Sequence, residues 1–386
     1  MPFTRPPTLL FSNHRRQHRH SALDAPPMTI SFHWKRAGST VVEKKGVKAK
    51  VGLAKTSREF RKALAVSTMA ALATLSAGTA WSEDSKGSLT VAFENDLFGA
   101  GTDSHYTHGT EITYVSDTYQ PAWLYKAASL MPFFDTSTET RLVTSLGQQI
   151  YTPANIETEA LVVDDRPYAG YLYLSVGLLN DNREATRFVD KLELVVGQVG
   201  PDSGAESVQR TVHKWVDSEE ANGWDNQLHN ETTVDLQYQR SWMLPLVDNN
   251  VDIVPHMGFT LGTSQRNAQT GFTLRVGSGI SSDFGPPLIR PAAAGGQYFK
   301  PNQTFYWYVF AGANGRYVGH NIFLDGNRDG DSHSVDRKEW VGDLQAGLVM
   351  GVGNWRVTLT EIVRSREFDG QDDPDEFGAI AVTYRL

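Results

Sequence analysis

A carboxamide and a carboxylate stand side by side at Asn95-Asp96, closing the run Leu89-Thr-Val-Ala-Phe-Glu-Asn-Asp96. Both groups are costly to desolvate unless they hold something. Oxygen donors of this type suit a hard cation such as calcium, or they can polarise a carbonyl. The plainer reading is a turn, because Gly99 and Gly101 follow and Asn-Asp-Gly chemistry favours turns. Some ten residues on, Tyr106-Thr-His-Gly109 places the Thr107 hydroxyl at the entry to a second strand. It can donate to a substrate oxygen, or it is an ordinary strand threonine. Gln209 and His213 are four apart in a helix-patterned segment, 204–216, so they stack on one side. A neutral imidazole takes a proton from water at physiological pH, which makes His213 the strongest general-base candidate. Its plain alternative is a surface histidine.

Two further polar stretches read as structural. In Asp164-Asp-Arg-Pro-Tyr-Ala-Gly170, Arg166 can meet a phosphate or an internal carboxylate, and an internal salt bridge is the expectation. Asp325-Gly-Asn-Arg-Asp-Gly-Asp331, with Asp336, matches positions 1, 3, 5 and 6 of a calcium loop, with Asp for Glu at 12. Its flanks read as strands, so we expect a polar hairpin loop. There is no Gly-x-Ser-x-Gly and no His-Glu-x-x-His, and no cysteine. Serine-elbow, zincin and thiolate chemistry therefore have no support.

The elements that must carry these residues are strands. Leu172, Leu174, Val176 and Leu178 alternate with Tyr171, Tyr173, Ser175 and Gly177, and 191–197, 355–360 and 379–386 repeat the pattern. Period-two segments of about ten residues describe an antiparallel transmembrane β-barrel. Trp242, Trp307, Tyr308, Trp340, Trp355 and Tyr384 fall towards strand ends, as interfacial aromatics do. We count about twelve strands, near 88–96, 108–117, 140–151, 168–180, 186–199, 230–243, 250–262, 269–280, 303–318, 340–352, 354–366 and 377–386. The last strand ends with an aromatic two residues before an apolar residue, similar to the terminal signal of outer-membrane barrels, with Leu386 in place of the usual Phe. A soluble sandwich or lipocalin-like barrel would alternate similarly without that terminus. Leu89, Val91 and Phe93 share one face of the first strand, and Thr90, Ala92, Glu94 and Asp96 the other. Asn95 and Asp96 can serve one site only if the strand bends or bulges there. The one helix is expected to dock by Ala205, Val208, Val212, Trp215 and Val216. Ser203 and Glu206 form a capping box at its start, and Gln209 and His213 border a helix–wall cleft.

Charge divides the chain. Residues 1–80 hold 14 Lys+Arg and 3 Asp+Glu, so the remainder holds 22 (36 − 14) and 41 (44 − 3), near −19. That acidity argues against nucleic acid as a partner. Arg58, Arg61 and Lys62, then the apolar run 63–75, then Gly78-Thr-Ala80 read as a secretory signal peptide cleaved near Ala80. Its apolar core is too short to span a bilayer. Met28 and Val51 offer alternative translation starts, which would make 1–50 an artefact of a misplaced start. The barrel domain is then 81–386.

Glu94-Asn95-Asp96, Tyr106-Thr-His-Gly109, Asp165-Arg-Pro-Tyr-Ala-Gly170, Gly200-Pro-Asp-Ser-Gly204 with Gln209 and His213, and Asn321-Ile-Phe-Leu-Asp-Gly326 to Val341-Gly-Asp-Leu-Gln345 together resemble the outer-membrane lipid A 3′-O-deacylase (LpxR) family. The resemblance implies a twelve-stranded barrel whose active site lies between the wall and a helix, near the outer leaflet. It implies calcium-dependent hydrolysis of the ester-linked 3′-acyloxyacyl chain of lipopolysaccharide by water. His213 becomes the general base, and Asn95, Asp96, Thr107 and Gln209 line the site. Asp96 is the best cation ligand and Glu219 a weaker one. The setting implied is the outer membrane of a Gram-negative bacterium, with lipid A as substrate and the protein a monomer. One departure concerns Glu157, Glu159, Asp164 and Asp165, an acidic stretch where lipid A phosphates would favour basic contacts. Two other readings are an outer-membrane phospholipase with the same water, histidine and cation, and a structural or transport barrel whose polar cluster only fills the lumen.

Overall fold

The computed structural model describes residues 87–96, 105–117, 139–182, 187–216, 218–286, 298–301 and 303–386, apart from position 302, together with a few isolated positions including Phe134 and Ile289. The leader and signal peptide expected over 1–80 lie outside the described residues.

Thirteen antiparallel strands are present among the described residues: β1 Ser88–Asn95, β2 His105–Val115, β3 Glu139–Thr152, β4 Ala169–Asn182, β5 Phe188–Val199, β6 Glu231–Trp242, β7 Leu244–Val247, β8 Val251–Gly262, β9 Gln265–Ser278, β10 Phe305–Asn321, β11 Trp340–Val352, β12 Trp355–Arg364 and β13 Asp375–Arg385. Each long strand pairs with its sequence neighbours. Two further pairings close the ring. β1 meets β13, from Ser88 opposite Arg385 to Asn95 opposite Gly378, and β6 meets β8, from Asp235 opposite Gly262 to Ser241 opposite His256. Twelve strands therefore close the barrel as expected. The thirteenth, β7, is a short strand paired only with the start of β8. No described helix is long and apolar enough to cross a membrane.

Alternation decides what each strand shows to each side. Leu146, Leu172, Leu174, Leu194, Val196, Leu274, Val309, Leu344 and Leu359 are exposed on the outside, where a water-soluble barrel would be polar. Aromatic pairs bracket this belt: Tyr317 with Trp340 near one end, ring centroids 5.3 Å apart, and Trp355 with Tyr384 near the other, at 4.5 Å. On β11, Trp340 lies ten residues before Met350, which faces Trp307. That is roughly 33 Å along the strand and about 25 Å along the axis at the usual tilt, the height of a barrel's apolar band.

The lumen is packed with charge. Arg275 pairs with Asp252 (2.5 Å) and Asp283 (2.7 Å), and Arg356 shares Asp283 (3.0 Å). Asp283 comes from the segment after β9, at the end that also holds the start of β1 and the end of β13. Towards the opposite rim, Arg316 and Arg364 share Asp343, and Glu367 lies against Arg166. Aromatic rings fill the space between. Phe323, from the short helix α2 (Ile322–Asp325), stacks on Tyr151 at 4.3 Å. Two lumen rings lie over cross-strand glycines: a Cβ on Gly147 would meet the Tyr173 ring at 2.4 Å, and one on Gly197 the Tyr171 ring at 2.2 Å.

Candidate active site

At the tip of β1 the alternation assigns Glu94 to the lumen. Its Oε2 accepts from Tyr106 Oη (2.9 Å) and its Oε1 from the Ile289 amide (2.7 Å). Asn95 then faces outwards, opposite His108 in register, and donates from Nδ2 to the Thr107 carbonyl at 2.8 Å. The strand ends there. Asp96, 3 % exposed, begins a turn, so the next pleat is not made. The expected break in pleating is thus present, and a second one lies a strand away. The β2–β3 register shifts between Tyr106 and His108, a bulge that sets two residues against one partner. Tyr106 points into the lumen. Thr107 instead meets Thr152 on the outer face, Oγ1 to Oγ1 at 2.7 Å. His108 packs edge-on against Phe93 at 4.7 Å, with Nε2 at 2.9 Å from Thr110 Oγ1. Asn95, Thr107 and His108 therefore share the outer wall.

A helix lies over that wall. After β5 the chain turns through Gly200 (φ 96°), one tight turn at Pro201–Ser203, and Gly204 (φ 69°), left-handed positions that suit glycine. Then α1 runs over Ala205–Val216. Gly170, last residue of the Asp-Arg-Pro-Tyr-Ala-Gly motif, admits it: a Cβ there would meet Ser203 Oγ at 2.1 Å and Ala205 Cβ at 2.3 Å. Gln148 of β3 donates to the Ser203 carbonyl at 2.7 Å. The expected capping box is replaced by other contacts. Ser203 donates to the Gly200 carbonyl (2.6 Å), and Glu206 pairs with Arg210 (2.8 Å).

The docked face of α1 also differs from the expectation. Buried against the wall are Ala205, Gln209 and His213 (1, 3 and 7 % exposed), while Val208 and Trp215 are 36 and 68 % exposed. The helix docks by a line of small and polar residues, and its apolar stripe faces away. Each polar group on that line is oriented by a neighbour. Trp224, buried beside Tyr168, donates its indole N–H to Gln209 Oε1 at 2.9 Å. An indole nitrogen only donates, so the Gln209 amide is turned with Nε2 on its other side. That Nε2 is buried and makes no hydrogen bond within the protein. His213 Nδ1 lies 2.5 Å from the Glu219 carbonyl. A carbonyl only accepts, so Nδ1 carries the proton, and the lone pair of the neutral ring is on Nε2. His213 and His108 are electrostatic neighbours, which brings the far end of α1 over β2.

Asn95 and Thr107 thus lie together on the outer wall with Asp96 at the strand tip, and Gln209 and His213 lie on the wall-facing side of α1, where His213 interacts electrostatically with His108 of β2. Glu219 contributes its backbone carbonyl, and its side chain is exposed. Among the described residues no three His, Asp or Glu side chains come together to hold a metal. Arg166 is internal, as expected, with Nη1 3.4 Å from Glu367 and its guanidinium over Tyr151. The 325–336 loop is a polar connector: Asp325 accepts from the Asn321 amide and pairs with His320 and Arg337, and Asn327 bridges to His229 and Glu231. The acidic stretch before β4 is partly structural as well. Asp165 accepts from the Ala154 and Arg166 amides, both at 2.7 Å. Burial raises its pKa, but His105 and those amides outweigh burial and hold the carboxyl below its ordinary 3.8. Sequence reasoning missed two residues that orient the site. His108 sat unassigned inside a quoted motif, and Trp224 carries no spacing signal because its partner is fifteen residues away in another element.

The chain matches the family model described as outer membrane protein LpxR over residues 63–386. Among solved structures it is similar to LpxR from Salmonella typhimurium, at 20 % identity and a TM-score of 0.63, covering 78 % of this chain and 100 % of that one. At this identity the likeness shows the fold. The KdgM porin (7 % identity, TM-score 0.33, 78 and 99 % covered) and the translocator domain of the autotransporter NalP from Neisseria meningitidis (11 %, 0.36, 86 and 100 %) are weaker matches and carry no argument. No curated protein matches the chain.

Proposed function

The chain belongs to the LpxR family of outer-membrane proteins, and from that premise we propose that it hydrolyses the ester of the 3′-acyloxyacyl chain of lipid A, with water activated by His213. One observation carries the reading. Gln209 and His213 are buried on the face of α1 that packs on the wall, and the Gln209 Nε2 donor is left unpaired. A buried unpaired donor costs about 1–3 kcal/mol, which an acceptor on a bound substrate would recover. The wall face also speaks against a lumen-filling or transport role, because the lumen is occupied by the arginine–carboxylate networks described above.

His213 Nε2 takes a proton from water as the oxygen attacks the ester carbonyl carbon. The Gln209 Nε2–H donates to the oxyanion of the tetrahedral intermediate. Collapse breaks the bond to the sugar oxygen, and His213 returns its proton to that oxygen. The products are a free carboxylic acid and a sugar hydroxyl. Asn95 holds the bulged β2 backbone by its bond to the Thr107 carbonyl, and Thr107 ties that bulge to β3. The calcium implied by the resemblance fits the donors in kind, with Asp96 and Asn95 offering hard oxygens and the exposed Glu219 carboxylate a third. It would polarise the carbonyl as a Lewis acid. With so few charged ligands its affinity falls in the weak range, on the order of 10⁻⁴–10⁻³ M.

Lipid A from cells expressing the protein, beside cells expressing His213→Ala, tests the reading by mass spectrometry with calcium present. Loss of one acyloxyacyl unit with the wild type alone is expected, and a calcium chelator should abolish it reversibly. Unchanged lipid A in both, with the barrel folded, would sink the assignment. Fatty acid released from phosphatidylethanolamine instead would move the substrate to glycerophospholipids.

A further inference from the structure

A cavity of about 460 Å³ lies at the rim, and none of the residues of the proposed site lines it. Two loops form it: 153–168, between β3 and β4, and 365–374, between β12 and β13. They meet at Gly370 (φ 99°), where a Cβ would come within 2.8 Å of the Asp164 carbonyl. His105, the first residue of β2, joins them. Its Nδ1 lies 2.5 Å from Asp375 Oδ1 and its Nε2 3.6 Å from Asp165 Oδ1. Six carboxylates line the cavity, against the single charge that His105 can carry. Asp164, Asp372, Asp373 and Glu376 are exposed, and none of the four makes an ion pair with another described residue. Arg166, next to Asp165, is buried against Glu367 and Tyr151.

Exposed acids alone make a solvated face. Asp375 is different: it lines the same cavity and is only 6 % exposed. His105 Nδ1 and Gln371 Nε2 both sit on its Oδ1, at 2.5 and 3.0 Å. Its Oδ2 is buried and has no hydrogen bond. A buried acceptor without a donor is costly, so an occupant should bring N–H donors as well as positive charge. A bare metal ion needs several oxygens at once, about 2.3–2.6 Å away. Among the described residues no three acidic or histidine side chains converge in that way. The space is also many times the roughly 30 Å³ of one water. Val162 and Pro374 share the lining with the acids, which suits charges spaced along an alkyl chain. Each ammonium group of such a chain carries three donors or fewer and no acceptor.

We propose that this rim cavity binds a linear polyamine, with its ammonium groups shared among Asp164, Asp372, Asp373 and Glu376 and one of them reaching Asp375. The bound chain ties the 153–168 loop to the 365–374 loop. The proposal stands on the cavity and does not rest on the proposed hydrolysis.

Calorimetric titration of the folded protein in detergent with spermidine tests this, at low salt, where exposed charges are least screened. One spermidine per chain is expected. Asp372→Asn/Asp373→Asn should weaken binding about tenfold, and Asp375→Asn, which removes the buried charge but keeps the side chain's shape, should weaken it as well. Unchanged binding in either variant would overturn the proposal. As a charge-matched control, Asp329→Asn/Asp331→Asn removes two exposed carboxylates of another loop and should leave binding as it was. Equal weakening there, or many weak sites per chain, would show general attraction to an acidic surface and would also overturn it. Magnesium or propylammonium binding as tightly as spermidine would reject a polyamine as the occupant. Heat-modified gel mobility confirms that each variant is folded.

Discussion

The lumen and the outer wall of this barrel both hold polar groups, under opposite rules. Inside, opposite charges are packed together: Asp283 alone receives Arg275, Arg356 and Tyr308, and Arg166 keeps Nε and Nη2 without a hydrogen bond. Outside, under α1, the polar groups are few, Gln209 is held at Oε1 by Trp224, and its Nε2 stays unpaired. A network of paired charges resists change, because each charge stabilises its neighbours. A half-matched one is costly to the fold and has groups to offer. The difference separates what holds the barrel closed from what acts on a substrate.

Breaking the lumen side should give the largest effect. Asp283→Ala takes a carboxylate from two buried guanidinium groups, leaving Arg275 with Asp252 alone, and breaking a buried pair in this way costs about 3–5 kcal/mol. We expect a large drop in the urea midpoint with hydrolysis by the surviving folded protein nearly unchanged. A parallel loss of specific activity would show that the two regions are not separable. On the outer wall the pattern should reverse. Gln209→Leu, like loss of an oxyanion donor elsewhere, should lower kcat by about 10²-fold, while the stranded Trp224 indole N–H costs stability less, about 1–3 kcal/mol. Unchanged kcat would reduce Gln209 to a packing residue.

The smallest effect sharpens the boundary between the regions. Asp165 clasps the rim, and its folded pKa is depressed. Its stabilising contribution is therefore fully present above its unfolded value of 3.8 and is lost as pH falls through the still lower folded value. In Asp165→Asn the fall in stability between pH 5 and pH 2 should be shallower than in the wild type, as read from melting temperatures. An identical acid slope would mean that His105 and the two amides do not favour its charged form.

Much of this was legible in the sequence. Period-two alternation assigned Glu94 to one face and Leu172 and Leu174 to the other, and the structure keeps both. The short β7 escaped because four residues with Pro245 give alternation too little length to register. The site was legible as a set of residue types, and the resemblance gathered them, but their geometry was not. Asn95 and Thr107 share the outer wall because β1 stops after Asn95 and β2 bulges at Thr107, and neither break has a local signature stronger than ordinary turn chemistry.

The helix gives the sharpest division. The sequence by itself determined that 204–216 is helical, that Gln209 and His213 stack, and that Val208, Val212 and Trp215 form a stripe. It could not determine which flank is buried. In a water-soluble protein an apolar stripe turns inwards, because water is the only alternative. Beside an apolar outer wall the stripe has a second apolar neighbour, so burial is decided by fit. Gly170 leaves room for Ala205, Trp224 receives Gln209, and the Glu219 carbonyl receives His213. Those partners lie in other elements, brought together only by closure of the barrel and the path of its rim loops.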